Sequence, residues 1–334
     1  MHRFKEYIAG PAVALALLFV PSAAVAAAPA WENAPVVPRL SAPVKAKLLE
    51  TVALGQRKGM RARVFAKAGD SNTEMSANLY GLGCRPAPPE LTPGLTRVLR
   101  RFNSVRLKNP SGFPACGRSN SFSRRSAATK SGTWSSWSAT PVADLGDQYW
   151  HPPDYCGIRE TPLHCELRLV RPRFVFILAG TNDIGMDSSL GLSPGARAAE
   201  RLRPLILQAR SRGVVPVLTT IPPVHPADPD RAELFEDGVR RTNSKIFRLA
   251  TELKVPLINL WRAMSAPGMI NQGLSADGLH LGVFGAGEIM PSLDPDPSIF
   301  SLSTDFSSEA LRYGANRRNL IFLKTLAVLD RASR

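Results

Sequence analysis

The chain has 334 residues, of which 44% are hydrophobic and 21% are charged. This length allows one large α/β domain or two smaller ones, and the composition excludes a largely disordered chain, which would carry fewer apolar residues. The formal net charge of +15 would attract an anionic polymer or an envelope surface as a partner, although a dispersed basic surface is the interpretation that we prefer. No nucleic-acid partner is expected, because no recognisable binding motif accompanies the charge.

The first 26 residues are typical of a secretory signal peptide. Two basic residues precede an apolar run over Tyr7–Val20, and the small-residue triplet Ala24-Val25-Ala26 follows, with cleavage expected after Ala26. An uncleaved membrane anchor is the alternative, but the run is short for about 30 Å of hydrocarbon and Gly10 interrupts it. We therefore predict a signal peptide at 1–26 and an exported protein, periplasmic or extracellular, with no membrane span after cleavage.

The next residues predict a lead-in and the first elements of a domain. Residues 27–41 are rich in Ala and Pro and are expected to be flexible. Apolar periodicity predicts a helix near Ala42–Gly55 and a short strand over Arg63–Ala68. The region at about 84–165 is rich in Pro, Gly, Ser and Trp and shows little periodicity. We expect it to be a disulfide-bearing insertion within one domain spanning 42–334.

Four cysteines, an even number with three possible pairings, fall in or beside that insertion. We favour Cys84–Cys116 and Cys156–Cys165, because each pair closes a loop within one irregular region, and disulfides persist in the compartments that signal peptides lead to. A zinc site is the alternative, but the sequence has no Cys-x-x-Cys or finger-like Cys/His spacing. We expect neither a metal nor another cofactor.

Strands and helices alternate in the second half of the chain. Apolar patterns predict strands at Arg173–Ala179, Val214–Thr219 and Val255–Leu260, and helices at Ala196–Arg212, Arg231–Leu253 and Gly314–Arg334. This alternation predicts an α/β fold with a parallel sheet flanked by helices. In such sheets, ligands bind outside the carboxyl ends of the strands.

Three short motifs lie after strands or before the last helix. Gly69-Asp70-Ser71 follows the first strand, where a sharp turn can expose a nucleophilic hydroxyl. Gly180-Thr181-Asn182-Asp183 follows the second, and a strand-end Asn can donate to a developing oxyanion. Asp277-Gly278-Leu279-His280 pairs a general base with a carboxylate that can orient it. Each motif alone is equally compatible with a polar turn, a helix cap or an exposed loop.

Together and in this order, the three motifs resemble the first, third and fifth blocks of the SGNH/GDSL hydrolases, over about residues 42–334. The resemblance implies a flavodoxin-like three-layer α/β/α sandwich with a parallel central sheet. It also implies Ser71 as nucleophile, His280 as base and Asp277 as its partner. The implied oxyanion donors are Asn182, the Ser71 N–H and a glycine of the second block, for which Gly132 at the end of Ser126–Gly132 is the most similar candidate.

The sequence departs from the family pattern at two places. Asn72 stands where many relatives carry Leu, and we expect little effect on catalysis because this side chain takes no part in the chemistry. The second block is loosely matched, which affects the identity of Gly132. A literal Gly-x-Ser-x-Gly at Gly191–Gly195 has no strand before it, so it is interpreted as a helix start with Ser193 as the cap.

These residues predict an exported serine esterase or acylhydrolase that works through an acyl-enzyme. A carbohydrate O-deacetylase and a lipid or short-acyl esterase are not distinguished by the sequence. A non-catalytic envelope or glycan-binding protein that keeps the fold is the alternative from another class. Four aromatic residues near Gly132 fit a substrate wall or, as we prefer, the packing of an irregular segment: Trp134, Trp137, Tyr149 and Trp150.

Overall fold

The structure, a computed structural model, describes residues 29–108, 116, 119–147, 150–287 and 296–334. The predicted signal peptide and Tyr149 lie outside these ranges. The strands are β1 (Arg61–Gly69), β2 (Pro172–Leu178), β3 (Val215–Thr219) and β4 (Leu257–Ile258). The helices are α1 (Ala42–Arg57), α2 (Ser71–Glu74), α3 (Tyr80–Cys84), α4 (Pro93–Asn103), α5 (Pro162–Val170), α6 (Thr181–Ser189), α7 (Ala198–Ser211), α8 (Pro229–Glu252), α9 (Leu260–Met264), α10 (Pro297–Leu302) and α11 (Gly314–Ala332), with 3₁₀ turns at Ser135–Ala139, Val142–Asp144, Ile270–Gly273 and Ala310–Arg312.

The four strands form one parallel sheet in the order β1-β2-β3-β4. On the free edge of β1, Gly69 forms a parallel bridge with Thr129. The Gly69 N–H donates to Ala128 O at 3.0 Å, and the Lys130 N–H donates to Gly69 O at 3.1 Å. Residues 128–130 therefore lie beside β1, and the residues that follow them lie at the carboxyl edge of the sheet.

Buried aromatic rings pack on one face of the sheet. Phe65 of β1 lies 5.6 Å from Phe176 of β2 and 4.8 Å from Phe122, measured between ring centroids. Phe102 of α4 packs against Phe65 and Phe322 of α11 stacks on Phe176, which places these two helices on this face. Burying rings of this size contributes strongly to the hydrophobic stabilisation of the core.

Helices α5, α7 and α8 contact one another in succession beside β1 and β3 and complete the outer layers. Their apolar stripes are buried, as in α7, where Leu202, Leu205 and Ile206 are almost fully shielded from solvent. The predicted α/β/α sandwich with a parallel central sheet is confirmed. Helix α7 begins at Ala198, whereas Ser193 lies in the preceding turn, so the helix start expected at Ser193 is wrong.

The region at about 84–165 contributes one helix to a layer of the fold. Helix α4 packs on β1 and α11, and the other described residues between α4 and α5 form 3₁₀ turns and irregular backbone. Both favoured disulfides are present, joining Cys84 to Cys116 and Cys156 to Cys165. The first ties the end of α3 to the irregular region, and the second ties that region to α5.

The segment before α1 differs from the expected flexible lead-in. Trp31 is 4% exposed and packs edge-on against Trp261 at 4.7 Å. The Asn259 side-chain amide donates to Trp31 O at 2.7 Å and to Ala34 O at 3.1 Å. A buried aromatic ring and satisfied backbone carbonyls hold residues 31–36 against α9.

The last predicted strand, Val255–Leu260, is wrong in its extent, because β4 covers only Leu257–Ile258. Asn259 accepts a hydrogen bond from the Arg262 N–H at 3.1 Å and so caps α9, which starts the helix directly after the strand. Within the ranges that the structure describes, no helix has both the length and the apolar character needed to cross a bilayer.

Candidate active site

Ser71 lies at the carboxyl end of β1, as the first residue of the one-turn helix α2. Gly69 ends the strand with φ of 151°, and a Cβ at this position would clash with the Leu178 carbonyl oxygen of β2. Only glycine fits there without strain, because the strand turns while in close contact with its neighbour. Asp70 caps α2 by accepting a hydrogen bond from the Asn72 N–H at 3.1 Å. This tight turn presents the Ser71 hydroxyl at the sheet edge.

The structure brings His280 and Asp277 to Ser71. His280 Nε2 lies 2.8 Å from Ser71 Oγ, and His280 Nδ1 lies 2.5 Å from Asp277 Oδ2. The His280 side chain is 16% exposed and that of Asp277 is 29% exposed, so the site is open to solvent on one side. A hydroxyl, an imidazole and a carboxylate joined in this order have the geometry of an activated nucleophile.

The Asp277 carboxylate is held by several donors. Its Oδ1 accepts hydrogen bonds from the N–H groups of Leu279 and His280 and from Ser275 Oγ, at 2.9, 3.0 and 2.7 Å. Partial burial raises the pKa of Asp277, but the hydrogen bonds from the His280 ring, these backbone groups and Ser275 together lower it well below the ordinary 3.8. Asp277 is therefore ionised throughout the neutral range and can stabilise a protonated imidazole.

Gly132 lies three residues beyond Thr129, which forms the bridge to β1. It is exposed and has φ of 75°. Ser131 on one side donates its N–H to Glu74 Oε2 at 2.5 Å, and Thr133 on the other accepts from Asn182 Nδ2 at 2.9 Å. We call residues 131–135 the Gly132 loop. Its backbone is fixed on both sides of Gly132, as a preorganised donor requires.

Asn182 and Asp183 follow β2 and both reach the Gly132 loop. Asn182 is half-buried and makes the bond to Thr133 O, whereas Asp183 is fully buried. Asp183 Oδ2 accepts from both the N–H and the hydroxyl of Ser135 at 2.8 Å, and its Oδ1 accepts from Arg201 at 3.0 Å. The structure thus places Asn182 and Gly132 in one hydrogen-bonded assembly, and Glu74 of α2 connects that assembly to Ser71.

Asp70 is 2% exposed. Its Oδ1 makes the cap to α2, whereas Oδ2 has no hydrogen-bond partner among the described residues. Burial raises the pKa of Asp70 to about 7, although the bond from the Asn72 N–H opposes the shift. The turn before Ser71 therefore contains a carboxyl group that gives up its proton only near neutral pH.

Sequence reasoning missed three residues that hold this site together. The Asn72 side chain contacts the backbone on both sides of His280, and Glu74 bonds to Ser131. Arg318 of α11 is fully buried and donates to Asn72 O at 2.7 Å and to Ala77 O at 3.1 Å. The departure from Leu at position 72 was the available signal in the sequence. We expected Asn72 to matter little, but its side chain contacts the backbone on both sides of His280. Arg318 has no sequence signal.

The described aromatic residues near Gly132 differ in burial and in their contacts. Trp137 is 1% exposed and belongs to the packed interior. Trp150 is half-buried, and its ring edge lies 3.8 Å from the position that a Cβ on Gly132 would occupy. Trp134 packs beside it at 5.4 Å between ring centroids. Trp150 therefore forms a wall directly beside the Gly132 loop.

Lys130, the residue before the Gly132 loop, lines a polar cavity of about 590 Å³. The other lining residues include Arg125, His151 and Tyr155, whereas Ser71 and His280 do not line it. Hydrogen-bonding side chains and aromatic rings are thus found together beside Lys130. No group of His, Cys, Asp and Glu within the described ranges is arranged to hold a metal ion.

A model of the GDSL-like lipase/acylhydrolase family matches residues 115–286, just over half of the chain. The match includes Gly132, Asn182, Asp277 and His280 and begins after Ser71. No match was found among curated proteins.

Solved structures show the same general similarity at low identity. A lipase/acylhydrolase from Enterococcus faecalis has 16% identity and a TM-score of 0.42, covering 79% of this chain and 95% of its own. A carbohydrate esterase family 3 protein from Talaromyces cellulolyticus has 14% identity and a TM-score of 0.40, covering 78% and 97%. A catalytic mutant of an acetylxylan esterase from Geobacillus stearothermophilus has 14% identity and a TM-score of 0.38, covering 78% and 93%.

Proposed function

Because the chain belongs to the GDSL-like lipase/acylhydrolase family and is thus an ester-cleaving hydrolase, we propose that it is an exported serine esterase with Ser71, His280 and Asp277 as its triad. The observation that carries the proposal is the 2.8 Å contact between Ser71 Oγ and His280 Nε2, two residues 209 positions apart. The 2.5 Å contact between Asp277 and the opposite ring nitrogen supports it. We also propose that residues 42–334 form one hydrolase domain.

The proposed reaction has two halves. The Nδ1–H of His280 donates a hydrogen bond to Asp277, so that Nε2 is free to take the Ser71 proton as Oγ attacks the ester carbonyl carbon. The oxyanion is held by the N–H groups of Ser71 and Gly132 and by Asn182 Nδ2, and donors of this kind contribute roughly 3–4 kcal/mol each. The alcohol leaves with the proton from His280. Water then attacks the acyl-enzyme, again with His280 as base, and releases the acid.

The surroundings of Gly132 favour an acylated carbohydrate over a lipid as substrate. A sugar presents an apolar ring face and many hydroxyl groups, so that it is recognised by an aromatic wall next to polar side chains. Trp150 provides the wall, and Arg125, Lys130 and His151 line the adjacent cavity. A long acyl chain would need an extended apolar groove at the same place. A lipid or short-acyl esterase is the alternative within enzymes.

Export is proposed from the signal-peptide pattern at 1–26, and the two disulfides support it, since such bonds persist outside the cytoplasm. The net charge of +15 is consistent with an anionic polymer or envelope surface as a further partner.

Covalent labelling with a fluorophosphonate tests the triad. We expect labelling of the folded protein, its loss in Ser71→Ala and a strong reduction in His280→Ala. Ser193→Ala is the matched control, because Ser193 stands in the Gly-x-Ser-x-Gly sequence away from the site, and it should label normally. Labelling that persists in Ser71→Ala refutes the assignment of the nucleophile, whereas a fold that never labels favours a non-catalytic glycan-binding protein.

A substrate panel tests the carbohydrate proposal. The panel compares kcat/KM for acetylated oligosaccharides with kcat/KM for nitrophenyl esters of increasing chain length. We expect the ratio to favour the sugar esters and to fall on the order of tenfold in Trp150→Ala, because one lost stacking contact is worth about 1 kcal/mol. Activity that increases steadily with acyl chain length would instead indicate a lipid esterase.

A further inference from the structure

We propose that Asn72 and Glu74, two buried side chains of α2, are positioning residues that align the other catalytic segments with Ser71. Asn72 fixes the segment that carries His280, and Glu74 fixes the Gly132 loop. The proposal rests on the function proposed above. It assigns different roles to the residues of the Ser71-Asn72-Thr73-Glu74 turn, of which Ser71 is the nucleophile.

The Asn72 side chain forms hydrogen bonds with the backbone on both sides of His280. Its Nδ2 donates to Leu279 O at 3.3 Å, and its Oδ1 accepts from the Leu281 N–H at 3.2 Å. The side chain is 2% exposed, so no water competes for these bonds. One donor and one acceptor are needed at the same place, and the amide supplies them on two separate atoms. Leucine would leave two backbone groups without partners, and aspartate would place a carboxylate against the Leu279 carbonyl.

The backbone of Asn72 is itself fixed, which makes it a firm anchor. Its N–H donates to Asp70 Oδ1 at 3.1 Å, and its carbonyl accepts from Arg318 at 2.7 Å. Because Asn72 is covalently next to Ser71, any movement of the His280 segment relative to Asn72 is also a movement relative to the nucleophile. The contacts of Asn72 therefore control the distance between Ser71 Oγ and His280 Nε2.

Glu74 performs the corresponding task for the Gly132 loop. Its Oε2 accepts from the Ser131 N–H at 2.5 Å, and its Oε1 accepts from Arg125 at 2.5 Å. The carboxylate is 2% exposed, and charge-assisted hydrogen bonds of this kind are about twice as strong as neutral ones. Ser131 directly precedes Gly132, so Glu74 fixes the peptide group next to the proposed oxyanion donor.

The two residues act through different groups, and a double-mutant cycle separates them. We expect Asn72→Leu to lower kcat for nitrophenyl acetate on the order of 10²-fold with little change in KM, since a small misplacement of the base has that effect. In a His280→Ala background, Asn72→Leu should have no further effect on the residual rate, because its target has been removed. Glu74→Leu should keep its full effect in that background, because the Gly132 loop still operates.

The charge of Glu74 and its acceptor role are separated by a conservative variant. Glu74→Gln keeps an oxygen acceptor for the Ser131 N–H but loses the ion pair with Arg125. We expect Glu74→Gln to retain at least several-fold more activity than Glu74→Leu. If both variants lose activity equally, Glu74 acts only as the ion-pair partner of Arg125, and its positioning role is refuted.

Controls exclude general unfolding. Asn103→Leu removes a half-buried amide that likewise donates to a backbone carbonyl, Leu82 O at 2.8 Å, and should leave kcat unchanged. If Asn72→Leu does not fold, the nearly isosteric Asn72→Asp is used in the same cycle. A further loss from Asn72 variants in the His280→Ala background refutes the positioning of His280 while leaving the triad intact. Full activity of His280→Ala itself would refute the proposed function instead.

Discussion

The buried carboxyl of Asp70 predicts that the folded protein becomes less stable as the pH rises. Burial raises the pKa of Asp70 to about 7 in the folded chain, compared with an ordinary value of 3.8. Asp70 Oδ2 has no hydrogen-bond partner among the described residues, so ionisation there is poorly compensated. Asp70→Asn removes the charge and keeps the Oδ1 acceptor that caps α2. We therefore expect Asp70→Asn to stabilise the protein relative to the wild type at alkaline pH.

The size of the effect follows from proton linkage. A carboxyl with a higher pKa in the folded than in the unfolded chain binds its proton more tightly when folded. Its contribution is therefore complete below pH 3.8 and is lost as the pH rises towards about 7. Each unit between the two pKa values corresponds to about 1.4 kcal/mol. From pH 5 to pH 8, the wild type should lose about 2–3 kcal/mol of unfolding free energy that Asp70→Asn does not lose.

Urea unfolding with intact disulfides, at pH 5 and pH 8, measures this difference. The quantity of interest is the change in the stability gap between variant and wild type, because constant effects of the substitution cancel. Asp228→Asn is the matched control, since Asp228 caps α8 through its Oδ1 in the same way but is exposed. A gap for Asp70→Asn that is the same at both pH values would refute the argument that burial perturbs this carboxyl.

Four further variants test the end of β1, the two disulfides and the proposed triad. Gly69→Ala should lower the unfolding free energy by about 1–3 kcal/mol and abolish fluorophosphonate labelling, because its Cβ meets the Leu178 carbonyl and its φ is unfavourable; melting and labelling measure both effects. Replacing both cysteines of a disulfide by serine should lower the free energy of unfolding measured with urea. We expect a loss of about 3–4 kcal/mol for Cys84–Cys116 and about 2–3 kcal/mol for Cys156–Cys165. The first loss is larger because that disulfide closes the longer loop, with a separation of 32 residues rather than 9. Asp277→Asn should lower kcat for nitrophenyl acetate by about 10²–10⁴-fold with little change in KM, because an amide can hold His280 in the wrong tautomer; unchanged kcat would show that Asp277 does not orient the base.

Local patterns predicted the sheet well where the strands are fully buried. The apolar runs that became β2 and β3 are shielded on both faces, and a continuous apolar run is what such a position selects. The prediction failed for Val255–Leu260, although its apolar pattern is similar. There Asn259 caps α9 and binds the carbonyls of Trp31 and Ala34. Those partners lie more than 200 positions away, and sequence periodicity carries no information about them.

The same distinction applies to the site. Ser71, Asn182 and His280 could be nominated because each stands in a short motif whose order resembles a family. Asn72 and Glu74 could not be assigned a role, because the segments that they are proposed to fix are bound through distant backbone groups. A hydrogen bond to a backbone carbonyl or N–H is compatible with almost any residue type at the partner position. The identity of the partner residue therefore does not reveal the bond.

The buried polar groups around α2 hold this one-turn helix in a fixed position. Four residues cannot hold a fixed geometry through their own hydrogen bonds, because a single helical turn is only marginally stable. Here Asp70 caps the turn, Arg318 binds its Asn72 carbonyl, and Glu74 joins it to Ser131. Burying such groups costs stability, as the raised pKa of Asp70 to about 7 and the lowered pKa of Arg318 to about 9 indicate, both caused by burial. Apolar replacements would remove that cost, but they would leave Ser71 on a turn with no fixed relation to His280 or Gly132.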